Sequence, residues 1–251
     1  MKHLKILIAL ICIVITVSIV LAQGKLFNRN SSGNIDITPQ TESVSTANSL
    51  TENKEFKKRN VAIVLYEGVQ LLDFAGPGEV FTDSETDKGE PAFTVYTVAG
   101  STAPIVSQGF VTITPQYSFE NAPKPDIIIF PGGDAAHFFK NEDSLARAKK
   151  LAVNAEVAMS VCTGSRILGK AGLLDNKKVT THWIAIDSLR KEVPTATVLE
   201  NTRFVDTGQI ITTAGVSAGI DGALHLVQRL LGTKSAIDAA RTMEYNWQPE
   251  K

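Results

Sequence analysis

Cysteine is scarce in this sequence, and basic residues are not in excess. Only Cys12 and Cys162 occur among 251 residues, and Cys12 lies in an apolar N-terminal run. Two cysteines so placed exclude a disulfide framework and a multi-cysteine zinc site, and no other cluster has metal-ligand spacing. Lys and Arg number 25 against 26 Asp and Glu, so the basic face typical of nucleic-acid binders is missing. We therefore expect no nucleic-acid partner, no metal and one isolated thiol.

Residues 1–22 are typical of an export signal or a membrane anchor. Lys2 and Lys5 form a positive start, and residues 6–22 are almost entirely apolar. This run of 17 residues is slightly longer than the apolar part of a usual signal peptide and slightly shorter than the ~20 residues that span a bilayer. Cleavage after Ala22 and retention as an anchor both stay open. Either outcome predicts an extracytoplasmic protein, secreted or anchored to the membrane.

Residues 23–59 differ in composition from the rest of the chain. They are rich in Ser, Thr, Asn and Glu, and their only aromatic residues are Phe27 and Phe56. Such a segment cannot bury enough apolar area to offset the entropy lost on ordering. We predict a disordered polar linker that leads to a single domain over residues 60–251.

In this domain, short apolar runs alternate with helical patterns. A continuous apolar run predicts a strand that is covered on both faces. Strands that alternate with helices predict a doubly wound α/β fold, with a mostly parallel sheet and helices on both faces. The predicted strands are 61–66, 93–98, 126–130 and 157–161, the predicted helices are 78–82, 144–154, 165–173 and 217–231, and a hairpin is predicted over 204–212 with its turn at Thr207-Gly208.

Three segments follow predicted strands, at the edge where open parallel sheets bind ligands. Cys162 stands between a strand and a helix, the position of a nucleophile elbow, and a helix N-terminus there would lower the thiol pKa. A buried structural cysteine is the alternative.

Gly132 and Gly133 offer backbone N–H groups to an oxyanion, although Pro-Gly-Gly also forms plain turns. From spacing alone, Asp73 is better interpreted as a helix cap than as an acid or base. His182 suits either a Cys-His pair or the core.

Ordered motifs run through the whole domain, and they resemble the PfpI/ThiJ superfamily. The likeness is closest to the isonitrile hydratase branch and to the amidase-like domains of AraC-type regulators. It implies a flavodoxin-like, class I glutamine amidotransferase-like fold and an enzyme without a cofactor that commonly forms homodimers. The motifs are Leu-Asp-Phe-Ala-Gly-Pro (72–77), Phe-Pro-Gly-Gly (130–133), Ser-Val-Cys-Thr-Gly-Ser (160–165), Leu-Gly-Lys-Ala-Gly-Leu-Leu (168–174), Thr-Thr-His-Trp (180–183), Gly-Val-Ser-Ala-Gly-Ile-Asp (215–221) and Met-Glu-Tyr (243–245).

The resemblance also implies roles for individual residues. Cys162 would be the nucleophile and Asp73 its acidic partner, which replaces the interpretation of Asp73 as a cap. Thr163 would hydrogen-bond at the reacting centre. The backbone N–H groups of Gly133 and Thr163 would form the oxyanion site, which Gly132 and Gly164 border. His182 would lie near the pocket.

The resemblance favours hydration of a small electrophile, as isonitrile hydratases perform it. Two alternatives stay open: a glyoxalase-like or deglycase-like enzyme acting on reactive carbonyls, and a non-enzymatic small-molecule or redox sensor. Peptidases of the superfamily place a histidine after the cysteine, where this sequence has Thr163. AraC-type regulators add a C-terminal helix-turn-helix domain, and this sequence ends soon after Trp247. We therefore expect neither a peptidase nor a DNA-binding regulator.

Overall fold

The computed structural model describes residues 56–249. The predicted segment 1–22, and all but the last four residues of the predicted linker, lie outside this range. In the range itself, we find no helix that is both long enough and apolar enough to cross a membrane.

Seven of the strands in the described range form a central sheet, and four more form two small sheets. The strands are β1 Arg59–Val64, β2 Phe93–Ala99, β3 Ile105–Ser107, β4 Val111–Ile113, β5 Tyr117–Ser118, β6 Ile127–Phe130, β7 Val157–Ser160, β8 Lys178–Val179, β9 Thr197–Val198, β10 Phe204–Asp206 and β11 Ile210–Thr213. The central sheet has the order β10-β11-β7-β6-β1-β2-β5, and only the β10–β11 pair is antiparallel. β3 pairs with β4 and β8 with β9. The predicted, mostly parallel sheet is confirmed.

The helices cover a sheet in which three adjacent strands, β11, β7 and β6, are fully buried. They are α1 Leu71–Thr82, α2 Ala136–Lys140, α3 Glu142–Asn154, α4 Ser165–Lys170, α5 Ile186–Glu192, α6 Ala218–Leu231 and α7 Thr233–Thr242, with short 3-10 turns at Cys162–Gly164 and Trp183–Ala185. All four residues of β6, β7 and β11 are buried, which requires cover on both faces of the sheet. α1 packs on α6 and α6 on α7, whereas α3 and α4 pack on β6.

Several element boundaries differ from the prediction. The helix predicted at 78–82 begins seven residues earlier, at Leu71, and contains Pro77. Gly76, Pro77 and Gly78 are helix breakers by propensity, and tertiary packing overrides that preference here. The helix predicted at 165–173 ends at Lys170, because the chain turns left-handed at Gly172 with φ 72°.

Four adjacent strands, β11, β7, β6 and β1, end at the same edge of the sheet. The segments that follow them carry Gly215-Val216, Cys162, Gly132-Gly133 and Asp73, respectively. Parallel strands bring their carboxyl ends together, so the fold itself assembles the residues of the site described below.

Candidate active site

Cys162 occupies a strained turn between β7 and α4. Its φ of 59° lies in the left-handed region that non-glycine residues rarely adopt. The turn is fixed by its neighbours, since Val161 N–H donates to the Phe130 carbonyl (2.9 Å) and Cys162 N–H to the Ala214 carbonyl (3.0 Å). A Cβ at Gly164 would lie 1.9 Å from the Phe130 oxygen, so only glycine fits. The chain therefore forms the sharp strand-to-helix turn of a nucleophile elbow.

Two hydroxyl groups hold the carbonyl of this turn. Thr181 Oγ1 donates to the Cys162 carbonyl at 3.0 Å, and Ser165 Oγ lies 3.3 Å from the same oxygen and 2.7 Å from Thr181 Oγ1. Both hydroxyl groups are buried. No role was predicted for either residue, although both lie in the motifs that carry the family resemblance.

Asp73 lies in the first turn of α1 and is completely buried. It does not cap the helix, because its Oδ2 accepts a hydrogen bond from Gly132 N–H at 2.9 Å, on the loop after β6. The Cys162 thiol also hydrogen-bonds to this carboxylate. Within residues 56–249, the second carboxylate oxygen, Asp73 Oδ1, has no hydrogen-bond partner. Asp73 and Cys162 thus form a buried pair.

Burial sets the ionisation of this pair. It raises the pKa of Asp73 to about 6, against the hydrogen bonds from Gly132 and Cys162 that favour the carboxylate. Burial first, and then the negative charge of Asp73, raise the pKa of Cys162 to about 12. The predicted low thiol pKa is wrong: the six-residue helix α4 offers a short dipole, and burial and the carboxylate outweigh it. At neutral pH, the pair holds a carboxylate and a protonated thiol.

Two backbone N–H groups face the sulfur. Hydrogen bonds from Thr163 N–H and Val216 N–H both lower the pKa of Cys162, which means that they stabilise negative charge on the sulfur. Val216 has a φ of 51°, an outlier for a β-branched residue. Strain of this kind costs about 1–3 kcal/mol and clusters at functional sites. Val216 was not predicted as a site residue, since a backbone donor has no sequence signature.

The glycine pair and Thr163 lie beside the Asp73–Cys162 pair. Gly133 N–H donates to Thr163 Oγ1 at 3.1 Å, and Gly132 N–H is bound by Asp73. A Cβ at Gly132 would lie 2.6 Å from Thr163 Oγ1, and one at Gly133 would lie 2.4 Å from the Gly68 carbonyl. Both N–H groups already have acceptors in the structure, so their predicted role toward an oxyanion stays a prediction.

His182 borders the site through the loop after β11. Its Nδ1 accepts a hydrogen bond from Ile184 N–H at 3.3 Å, and its ring presses on Gly215, where a Cβ would lie 2.0 Å from Cδ2. The thiol interacts instead with Asp73, Thr163 and Val216. His182 also lines a cavity of about 640 Å³ together with Trp183. His182 is therefore positioned by Ile184 and Gly215, and the described residues show no hydrogen bond between His182 and Cys162.

A flavodoxin-like domain with a cysteine elbow above a buried carboxylate defines a class of α/β proteins. The chain matches the DJ-1/PfpI family over residues 59–229 and belongs to that family. It is 35% identical to an isonitrile hydratase of Pseudomonas putida over 187 residues, which cover 74% of this chain and 78% of the relative.

Solved structures agree with the assignment of the fold. A ThiJ/PfpI family protein from Pseudomonas syringae superposes with a TM-score of 0.69 at 28% identity, covering 86% of this chain and 84% of that one. An AraC family transcriptional regulator from Pseudomonas putida superposes with a TM-score of 0.63 at 17% identity, covering 74% and 99%, respectively. At 17% identity, this likeness shows a shared fold and nothing more.

Proposed function

We propose that this protein is a cofactor-independent cysteine enzyme that hydrates a small electrophile, with an isonitrile as its substrate class. The observation that carries the proposal is the buried Asp73–Cys162 pair, which holds one proton and one negative charge between a nucleophile and a base. The likeness to an isonitrile hydratase supports the same class.

The pair suits addition to a carbon atom that must receive both a nucleophile and a proton. Asp73 takes the thiol proton as sulfur bonds to the terminal carbon of R–N≡C, and then delivers that proton to the same carbon to give R–N=CH–S–Cys162. The N–H groups of Thr163 and Val216 stabilise negative charge on sulfur as it forms. Water then adds to the carbon, nitrogen gains a proton, and the C–S bond breaks. The products are R–NH–CHO and the thiol.

The proposed reaction takes place outside the cytoplasm, in a homodimer. The location follows from the predicted signal or anchor at 1–22, and the dimer from the family resemblance. An enzyme at this location would intercept toxic isonitriles before they enter the cell.

The test is turnover of simple alkyl isonitriles by the full-length chain with Cys162 kept reduced. We expect formation of the N-alkylformamide by the wild type and by Cys12→Ser, and none above background by Cys162→Ser. Methylglyoxal is assayed in parallel, because the same thiol can attack an aldehyde. Lactate formation without formamide would replace the isonitrile proposal with a carbonyl substrate. Binding of an alkyl isonitrile or of methylglyoxal without turnover of either compound would favour a sensor.

A further inference from the structure

The hydroxyl group of Tyr66 lies one peptide group away from the Asp73 carboxylate. Tyr66 Oη donates a buried hydrogen bond of 2.8 Å to the Pro131 carbonyl. That carbonyl and Gly132 N–H belong to the same peptide group, and Gly132 N–H donates to Asp73 Oδ2 at 2.9 Å. A continuous chain of hydrogen bonds therefore runs from the phenol through one peptide group to the carboxylate.

We propose that Tyr66 is a positioning residue that sets the proton affinity of Asp73 through the Pro131–Gly132 peptide group. A donor at the carbonyl end of a peptide polarises the group, which makes its N–H end a stronger donor. The stronger N–H bond stabilises the carboxylate form of Asp73. The inference deepens the proposed function and rests on it only for its effect on turnover.

The surroundings keep this chain of hydrogen bonds in place. The Tyr66 ring is 6% exposed and packs on Phe138, with 5.5 Å between the ring centroids. Gly132 is held between Thr163 and Asp73, and its carbonyl accepts a hydrogen bond from Gln70 N–H at 2.9 Å. The Pro131–Gly132 peptide group therefore cannot rotate toward another hydrogen-bond donor unless the neighbouring loops also move.

The phenol stays a neutral donor across the working pH range. Burial first, and then electrostatic interactions with Asp73, Cys162 and Asp134, raise the pKa of Tyr66 well above its usual value. Of these groups, Cys162 also hydrogen-bonds to the Asp73 carboxylate, so any titration of Asp73 must be read together with that of the thiol.

Tyr66→Phe tests the proposal, and Tyr96→Phe is its matched control. Both variants remove a tyrosine hydroxyl that donates to a proline carbonyl, since Tyr96 Oη donates to Pro123 O at 2.5 Å, away from the site. The Asp73 carboxyl is titrated by carbon NMR in the full chain, and the alkylation rate of the Cys162 peptide is followed by mass spectrometry over the same pH range. We expect Tyr66→Phe to raise the pKa of Asp73 by about half a pH unit or more, and Tyr96→Phe to leave it unchanged.

A fluorinated tyrosine at position 66 keeps the hydroxyl group and should shift the pKa of Asp73 in the opposite direction to Tyr66→Phe. Its more acidic phenol is a stronger donor, so the pKa of Asp73 should fall below the wild-type value. Should Tyr66→Phe fail to fold, this variant alone decides the matter. An Asp73 titration that neither substitution moves would overturn the proposal. Neither measurement needs a substrate, so the result is independent of whether the protein hydrates isonitriles.

Discussion

At the scale of single residues, Asp73 disfavours ionisation of the Cys162 thiol, although it is the proposed base that accepts the thiol proton. Its negative charge and its hydrogen bond both raise the pKa of Cys162. We expect Asp73→Asn to lower the thiol pKa and speed alkylation of Cys162 at mildly alkaline pH, while turnover falls by roughly 10²–10⁴-fold because the base is lost. The exposed Asp134, at the same sheet edge, provides the control Asp134→Asn. Parallel losses of alkylation and turnover in Asp73→Asn would show that Asp73 activates the thiol directly.

The same carboxylate makes the stability of the fold depend on pH. Its pKa is about 6 in the folded protein and 3.8 as the ordinary value, so the folded state binds the proton more tightly. Both states are protonated below pH ~3.8. Stability is then lost as the pH rises through the window to about 6, by roughly 3 kcal/mol at neutral pH.

Asp73→Asn should remove this pH dependence. We expect its free energy of unfolding to equal that of the wild type below pH ~4 and to exceed it by roughly 2–3 kcal/mol above pH ~7. Urea denaturation across this pH range measures the difference. A difference that stays constant with pH would show that ionisation of Asp73 is not its source.

Sequence alone could locate the main residues of the site but not their electrostatics. Cys162 was found because a strand ends and a helix begins around it, whereas Asp73 was linked to it only by the family resemblance. The thiol pKa was predicted in the wrong direction, because burial and distance to Asp73 are properties of the fold. Val216 could not be predicted, since its contribution is a backbone N–H in a strained conformation.

At the scale of elements, the elbow depends on the close approach of Gly164 to β6. We expect Gly164→Ala to cost roughly 3 kcal/mol or more in the free energy of unfolding, because the new Cβ would meet the rigid Phe130 carbonyl at 1.9 Å. Gly208 in the β10–β11 hairpin is the control. It also has a positive φ, 91°, but a Cβ there meets nothing within 4 Å. Gly208→Ala should cost about 1–2 kcal/mol, and equal losses for both variants would argue against a steric role for Gly164.

The sequence predicted elements well where burial is continuous. The runs that became β1, β2, β6 and β7 were located to within two residues, and the hairpin turn at Gly208 is confirmed. The short strands β3, β4, β5, β8 and β9, of two or three residues each, were missed because they are too short to carry an alternating pattern. The start of α1 was missed because Gly76 and Pro77 have low helix propensity, whereas packing on α6 stabilises the helix in the fold.

At the scale of the whole molecule, the catalytic pair depends on long-range contacts. Asp73 and Gly132 are 59 residues apart in sequence, and Cys162 N–H is held by Ala214, 52 residues further along the chain. Only the pairing of adjacent parallel strands brings these segments together. Core substitutions far from the site should therefore disturb the Asp73–Cys162 pair if they shift the register of these strands. The proposed reaction thus depends on an intact central sheet.

The predicted location of the protein is also a property of the whole chain, and it can be tested without its activity. We expect a fusion of alkaline phosphatase to the C-terminus to be active in bacterial cells, because the reporter works only after export. Val14→Lys should abolish that activity, since a charge in the middle of the apolar run costs about 2.5–3.5 kcal/mol for insertion. Asn34→Lys, in the predicted linker, adds the same charge and should leave export unchanged. A cytoplasmic, inactive reporter in the unmodified fusion would show that residues 1–22 do not direct export, and the proposed interception of isonitriles outside the cytoplasm would then be abandoned.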